Sequence, residues 1–174
     1  MKDAIKSGVY VGLMLIIINV IIYIIDAALF AKWWVGISLI ILVIVLVIYF
    51  GLQYRKEAEG GYLSFKEAYL HGLVTFIVAG VLGAIYNLIL FNIIDPNLST
   101  LLTDAIVDQS YAMMKNFGAP EEQIDKAIAQ IKEDTPARFT LVGQLKGFGW
   151  NIVGALVISL ITGAIVKKKK PEII

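Results

Sequence analysis

The side chains able to do chemistry are few. Asn19, Asn87, Asn92 and Asn151 fall inside long apolar runs. A polar group at membrane depth is costly and often functional, but amides also serve as plain hydrogen-bond glue between helices, worth about 0.6 kcal/mol each. His71 is the single histidine, and Glu67 stands one helical turn before it. Such a pair can titrate near neutral pH, but one imidazole and one carboxylate are too few to hold a metal. Glu121, Glu122, Asp125, Glu133 and Asp134 form an acidic cluster. Their spacing lacks the ligand repeat and central glycine of a calcium loop, so a solvated, partner-facing helix surface is expected, with Glu121, Glu122 and Asp125 as the contact candidates.

Catalytic patterns are missing. There is no nucleophile elbow, no paired catalytic carboxylates and no His/Cys metal spacing. Gly60-Gly61 lacks the lysine and hydroxyl residue of a phosphate loop. The absence of cysteine removes disulfides and thiolate chemistry. Catalytic, cofactor-binding and metal-ligating residues are therefore expected to be none, and the protein is expected not to be an enzyme. A net charge of +1 gives no bulk basic character for nucleic acid. No Asp, Glu, Lys or Arg falls at a span midplane, which weighs against a proton-coupled transporter or a cation channel.

The elements that position these residues are membrane helices. The chain has 174 residues and is 59% hydrophobic, with the excess gathered in blocks of about 20 residues, the length that crosses a bilayer. Four spans are expected, at 6–28, 33–53, 65–94 and 143–166. The first begins like a signal peptide, but the run over 5–25 is too long for one and no small-x-small site follows, so it reads as a retained anchor. Trp33-Trp34 and Tyr49, Tyr54 bracket the second span as interfacial aromatics do. Ser64 and Glu67 make a capping box that starts the third helix, and Asp95-Pro96 ends it. A Glu67–His71 pair would then lie at the interface.

Residues 95–142 differ in kind. Leu98, Leu102, Ala105, Ile106 and Met113 recur at helical spacing. Gly118 suits a helix C-terminus, Pro120 the first turn of a new helix, and Thr135-Pro136 a further restart. Ile124, Ala127, Ile128 and Ile131 form a second stripe, too short to span. The segment is expected to be a short amphipathic helical hairpin outside the membrane, between the third and fourth spans. The expected organisation is thus 1–94 for three spans, 95–142 for the hairpin, and 143–174 for the fourth span and a basic tail. Pro171 is expected to end the last helix.

Glycines supply the packing signal. Gly8 and Gly12, Gly80 and Ala84, and Gly143 and Gly147 each stand four apart, as close helix contacts in lipid require. They suit either packing within one chain or a homodimer face. The second span carries no such residue after Gly36 and Ser38, so it is expected to be the most lipid-exposed. Lys167, Lys168, Lys169 and Lys170 should anchor the last helix and meet anionic lipid headgroups, at about 1 kcal/mol per residue.

Orientation follows from cations. With the N-terminus inside, nine Lys and Arg fall on the inner side, including the terminal run, against six outside. Both ends are then cytoplasmic. The outer segment 95–142 holds eight acids and four bases, and would be periplasmic in a bacterial inner membrane.

The segment Glu59-Gly60-Gly61-Tyr62-Leu63-Ser64-Phe65-Lys66-Glu67-Ala68, the helix end Asn92-Ile93-Ile94-Asp95-Pro96 and the acidic insert with Glu121-Glu122-Gln123-Ile124 together resemble a family. It is a domain-of-unknown-function family of four-helix membrane proteins, common in Bacteroidota. The resemblance covers nearly the whole chain. It implies inner-membrane placement and four spans, and it carries over no activity, cofactor or site residue.

The expected function is a non-enzymatic inner-membrane scaffold or interaction protein. It would touch membrane lipid and a protein partner or second copy through the hairpin and glycine faces. The alternative is a small transporter or accessory subunit that binds an apolar solute or lipid along Asn19, Asn87 and Asn151.

Overall fold

The structure is a computed structural model that describes residues 1–170. Among these residues the chain is helical, with strand geometry limited to one isolated bridge. The α-helices are α1 (Lys2–Asp26), α2 (Trp33–Glu57), α3 (Phe65–Ile89), α4 (Leu98–Asn116), α5 (Glu121–Phe139) and α6 (Leu141–Val166). Four helical stretches are long and apolar enough to cross a membrane: Lys2–Ala31, Trp33–Glu57, Phe65–Ile94 and Leu141–Val166. Each α-helix in them has 25 or 26 residues, about 38 Å at 1.5 Å per residue, against a hydrocarbon core of about 30 Å.

The joints have local causes. Asp26 accepts a hydrogen bond from the Ala28 N–H at 2.9 Å and caps a 3-10 turn over Ala27–Ala31, so the first reversal is itself helical. The capping box forms as expected. The Ser64 N–H donates to Glu67 Oε2 at 2.9 Å, and the Glu67 N–H donates back to Ser64 Oγ at 3.3 Å. The third span closes in a π turn, Leu90–Ile94, where the Asp95 N–H reaches the Leu90 carbonyl just before Pro96. Gly118, at φ +74, follows α4 in the left-handed conformation that glycine adopts without strain.

Pro136 does not restart the chain. It lies inside α5, late enough that the helix continues to Phe139, and the break comes at Thr140. There the Thr140 hydroxyl caps the Gly143 N–H at 3.2 Å. This N-cap threonine, four residues past the proline, is the start signal of α6. At the other end α6 stops at Val166, ahead of the lysines. Pro171, expected to terminate it, lies outside the described residues.

The described chain forms two compact units. The first comprises 1–16, 39–83 and 148 onward; the second comprises 17–38 and 84–147. In the first, α1 packs on α3 through Ala4, Ser7, Gly8, Val11 and Gly12, a single face at 3.6-residue spacing. A Cβ on Gly8 would lie 2.6 Å from Val78 Cβ, and one on Gly12 would lie 3.2 Å from Ala79 Cα. On α6, a Cβ on Gly163 would lie 3.0 Å from the Tyr69 backbone. A Cβ on Gly51 of α2 would lie 2.9 Å from Val166, so the second span does carry a packing glycine beyond Gly36. Of the four long helices α2 has the fewest buried residues, Val35, Val47 and Gly51.

In the second unit α4 and α5 pack together, and α4 packs on the Ala27–Ala31 turn. Leu90, Leu98 and Leu102 are buried under Tyr23, Phe30, Tyr86, Phe91 and Phe139. On α5, Ile124 is 1% exposed. Met113, expected on the buried stripe of α4, is instead exposed.

Replacing Gly8 by leucine should overpack the α1–α3 contact and lower unfolding free energy by about 1–3 kcal/mol. Gly147→Leu, which meets nothing within 4 Å, should change it little. Denaturant titration in detergent micelles compares the two.

Candidate functional site

Two constellations stand out, one in each unit. The first is a seam of small polar side chains. Ser7, His71, Thr75, Ser159 and Thr162 are all buried, on α1, α3 and α6. Ser7 Oγ lies 3.4 Å from His71 Nε2. Tyr54 of α2 stacks on the imidazole, with ring centroids 4.6 Å apart. Thr75 donates to the His71 carbonyl at 2.8 Å. Gly72 permits this approach, since a Cβ there would lie 2.9 Å from Thr162 Oγ1.

His71 is therefore buried between helices and not on an exposed helix edge, and Glu67 is not its partner. The carboxylate is held by Ser64, one turn away. The imidazole turns into the helix contacts because Gly8 and Gly72 bring α1 and α6 close around α3. The hydroxyl residues were the missed members. Their signal was present as Ser7 beside Gly8, and as Ser159 and Thr162 one turn apart beside Gly163.

The second constellation is a cavity of about 370 Å³ in the second unit. Its volume falls in the lower part of the range of small-molecule sites. Aromatic and aliphatic groups form most of the wall: Phe30, Leu90, Phe91, Leu102, Ile106 and Phe139. Phe91 and Phe139 stack with centroids 4.8 Å apart. Polar groups come from four residues, Asn19 of α1, Asn87 of α3, and Thr135 and Arg138 of α5. Among the described residues no carboxylate forms an ion pair with Arg138. Nearby, the Tyr23 hydroxyl donates to Asp95 Oδ2 at 3.1 Å and ties the end of the third span to α1.

The cavity unites two of the four asparagines singled out from sequence, Asn19 and Asn87. Asn151 is exposed on the α6 part of the first unit and does not line it. Asn92 is exposed and donates to the Leu88 carbonyl. Arg138 and Thr135 were the missed members here, because a helix restart at Pro136 would have separated them from the α5 stripe.

The other expected residues are accounted for individually. Gly80 meets Phe148 of α6 at 3.3 Å, in the first unit, and Ala84 is half-buried in the second. Gly143 serves the α5–α6 corner, where a Cβ would strike the Ala137 carbonyl, and Gly147 faces open space, so that pair packs no helix within the chain. Glu121, Glu122 and Asp125 are exposed on α5. Glu122 pairs with Lys126 at 2.6 Å, and Glu121 accepts from the Tyr111 hydroxyl. The terminal lysines are exposed and non-helical. Lys167 sits over the Phe65 ring, Lys168 over the Tyr62 ring, and the Lys168 backbone pairs with Leu63. Among the described residues no group of three or more metal-ligating side chains is clustered.

These features define an all-helical protein with four membrane-span-like helices. The chain belongs to the family described as Protein of unknown function (DUF4199), whose model matches residues 6–168. Comparison with curated proteins and with solved structures found no match.

Tyr23→Phe should cost about 1 kcal/mol through loss of the Asp95 contact. Thermal unfolding followed by circular dichroism measures it.

Proposed function

We propose that the protein is a non-enzymatic membrane protein that binds an amphiphile with an anionic head and an apolar body. The cavity of the second unit carries this reading. Its phenylalanine and leucine walls suit an acyl or ring system. Arg138 supplies an always-charged fork of donors, and the amides of Asn19 and Asn87 add directional contacts. For the scaffold reading, Gly8, Gly12, Gly51, Gly72 and Gly163 are engaged within the chain, while Gly147, Gly149 and Gly154 face open space. Its hairpin half keeps one observation: Phe117 is 85% exposed at the α4–α5 turn, close in sequence to the acidic start of α5.

The same proposal has the protein in a bacterial inner membrane with both termini cytoplasmic. The cation distribution supports it, with Lys167 to Lys170 following the last span and the acidic 95–142 segment on the periplasmic side. The chain has no cysteine, so single-cysteine reporters need no background removal. A membrane-impermeant maleimide added to intact spheroplasts should label Glu121→Cys and spare Lys169→Cys; the opposite pattern reverses the orientation.

Ligand class is tested with dodecanoate and dodecylammonium on nanodisc-embedded protein, read by native mass spectrometry. Dodecanoate should bind and dodecylammonium should not. Arg138→Ala should weaken dodecanoate binding about tenfold or more, the loss of a charged hydrogen bond of about 1.5–3 kcal/mol. Equal binding of both probes, or an unaffected Arg138→Ala variant, overturns the assignment.

A further inference from the structure

The imidazole of His71 is only 4% exposed, and its Nδ1 atom is buried without a hydrogen-bond partner among the described residues. A neutral imidazole has one N–H and one lone pair. Whichever way the Ser7–Nε2 contact runs, Nδ1 is left with an unmet donor or an unmet acceptor. Buried polar atoms in that condition are rare and call for a reason. In lipid-spanning helices the reason is most often functional.

We propose that His71 is a proton-binding site buried where α1, α2 and α3 meet, and that its occupancy loosens the α1–α3 contact. A proton is the ligand that fits, because it adds no volume. The helix contacts on either side are close: a Cβ on Gly72 would meet Thr162 Oγ1 at 2.9 Å, and one on Gly8 would meet Val78 Cβ at 2.6 Å.

The neighbours suit a cationic ring in part. The stacked face of Tyr54, 4.6 Å away, attracts a cation placed over it. Ser7 Oγ can accept from Nε2–H. Burial itself works against a charged ring. On α1 the charged groups at that end of the helix are the Met1 amino group, Lys2, Asp3 and Lys6. Tyr54 is the titratable group that α2 presents. On α3 itself Glu67 is engaged with Ser64. From α6 come the hydroxyls of Ser159 and Thr162, which do not titrate in the physiological range.

Proton uptake puts an N–H on both ring nitrogens. Nε2–H then donates to Ser7, which fixes the direction of that contact. Nδ1–H is left needing an acceptor that the closed arrangement does not offer. The ring must turn, or α1 must move to admit water. Either change works against the close approach at Gly8 and Gly12, because Ser7 precedes Gly8 directly and Thr75, one turn beyond His71, lies 3.3 Å from the Ala4 carbonyl.

His71 is the one histidine of the chain, so a sample labelled with ¹⁵N-histidine reports this ring alone. The wild-type protein in nanodiscs is followed by NMR between about pH 5 and pH 8, the range of an ordinary histidine switch. Both ring nitrogens should shift reversibly to the imidazolium pattern as pH falls. At the acid end, amide exchange over 4–12 and 71–79 should run about tenfold faster than in His71→Gln at the same pH. Ser7→Ala, which removes the Nε2 partner, should move the titration midpoint, and His71→Phe, which takes no proton, serves as the comparator if the glutamine variant does not fold. Ring signals that stay neutral throughout, or a ring that titrates while exchange in α1 and α3 matches the comparator, overturn the proposal.

Discussion

In a bilayer an aliphatic helix face gains nothing by leaving lipid for another helix, so contact must come from close backbone approach and from hydrogen bonds. The first unit is organised by that constraint. Gly8 and Gly12 let α1 lie against α3, Gly72 and Gly163 bring α3 and α6 together, and Gly51 admits Val166. Once backbones are that near, only small hydroxyl side chains fit between them, which places Ser7, Thr75, Ser159 and Thr162 in the seam. The buried imidazole follows from the same geometry. The helix faces left outside the contacts are large and apolar: Ile40, Trp150 and Ile161 are all exposed.

The second unit is held differently. Its cluster around Leu90, Leu98 and Leu102 has the aromatic and aliphatic composition of a water-soluble core. Helices α4 and α5 are amphipathic and carry their charges outward, so ordinary hydrophobic burial drives their packing. Lining a cavity with Asn19 and Asn87 from the long helices and Arg138 from α5 requires both kinds of element.

Much of this was legible in residue order. Run length and terminal aromatics located the four long helices to within a few residues, because the hydrocarbon core imposes one length on all of them. The Ser64–Glu67 box and the Gly118 terminus are local chemistry and were readable for the same reason. The errors arose where a neighbour decides the outcome. Pro136 is a helix breaker in isolation, yet near the end of α5 it costs little, and Thr140 makes the break. His71 looks like an interfacial residue until three other helices close around it. Gly143 and Gly147 match a packing spacing, but one serves a corner and the other faces open space. Serine and threonine in apolar runs draw less notice than asparagine, though here they are the buried polar groups and Asn151 is not.

The antiparallel bridge between Leu63 and Lys168 joins the start of α3 to the end of α6, far apart in the order of synthesis. α1, α2 and α3 are made well before α6 exists. During that interval Leu63 and Ala68 lack the Val166 side of their cluster, and Gly72 lacks Thr162 and Ser159. The first unit is thus an unfinished assembly until the last turn of α6 arrives, when the bridge and the Arg55 contact to the Val166 carbonyl close together. A chain cut short before that point would display an open groove of small residues and an unsheltered imidazole.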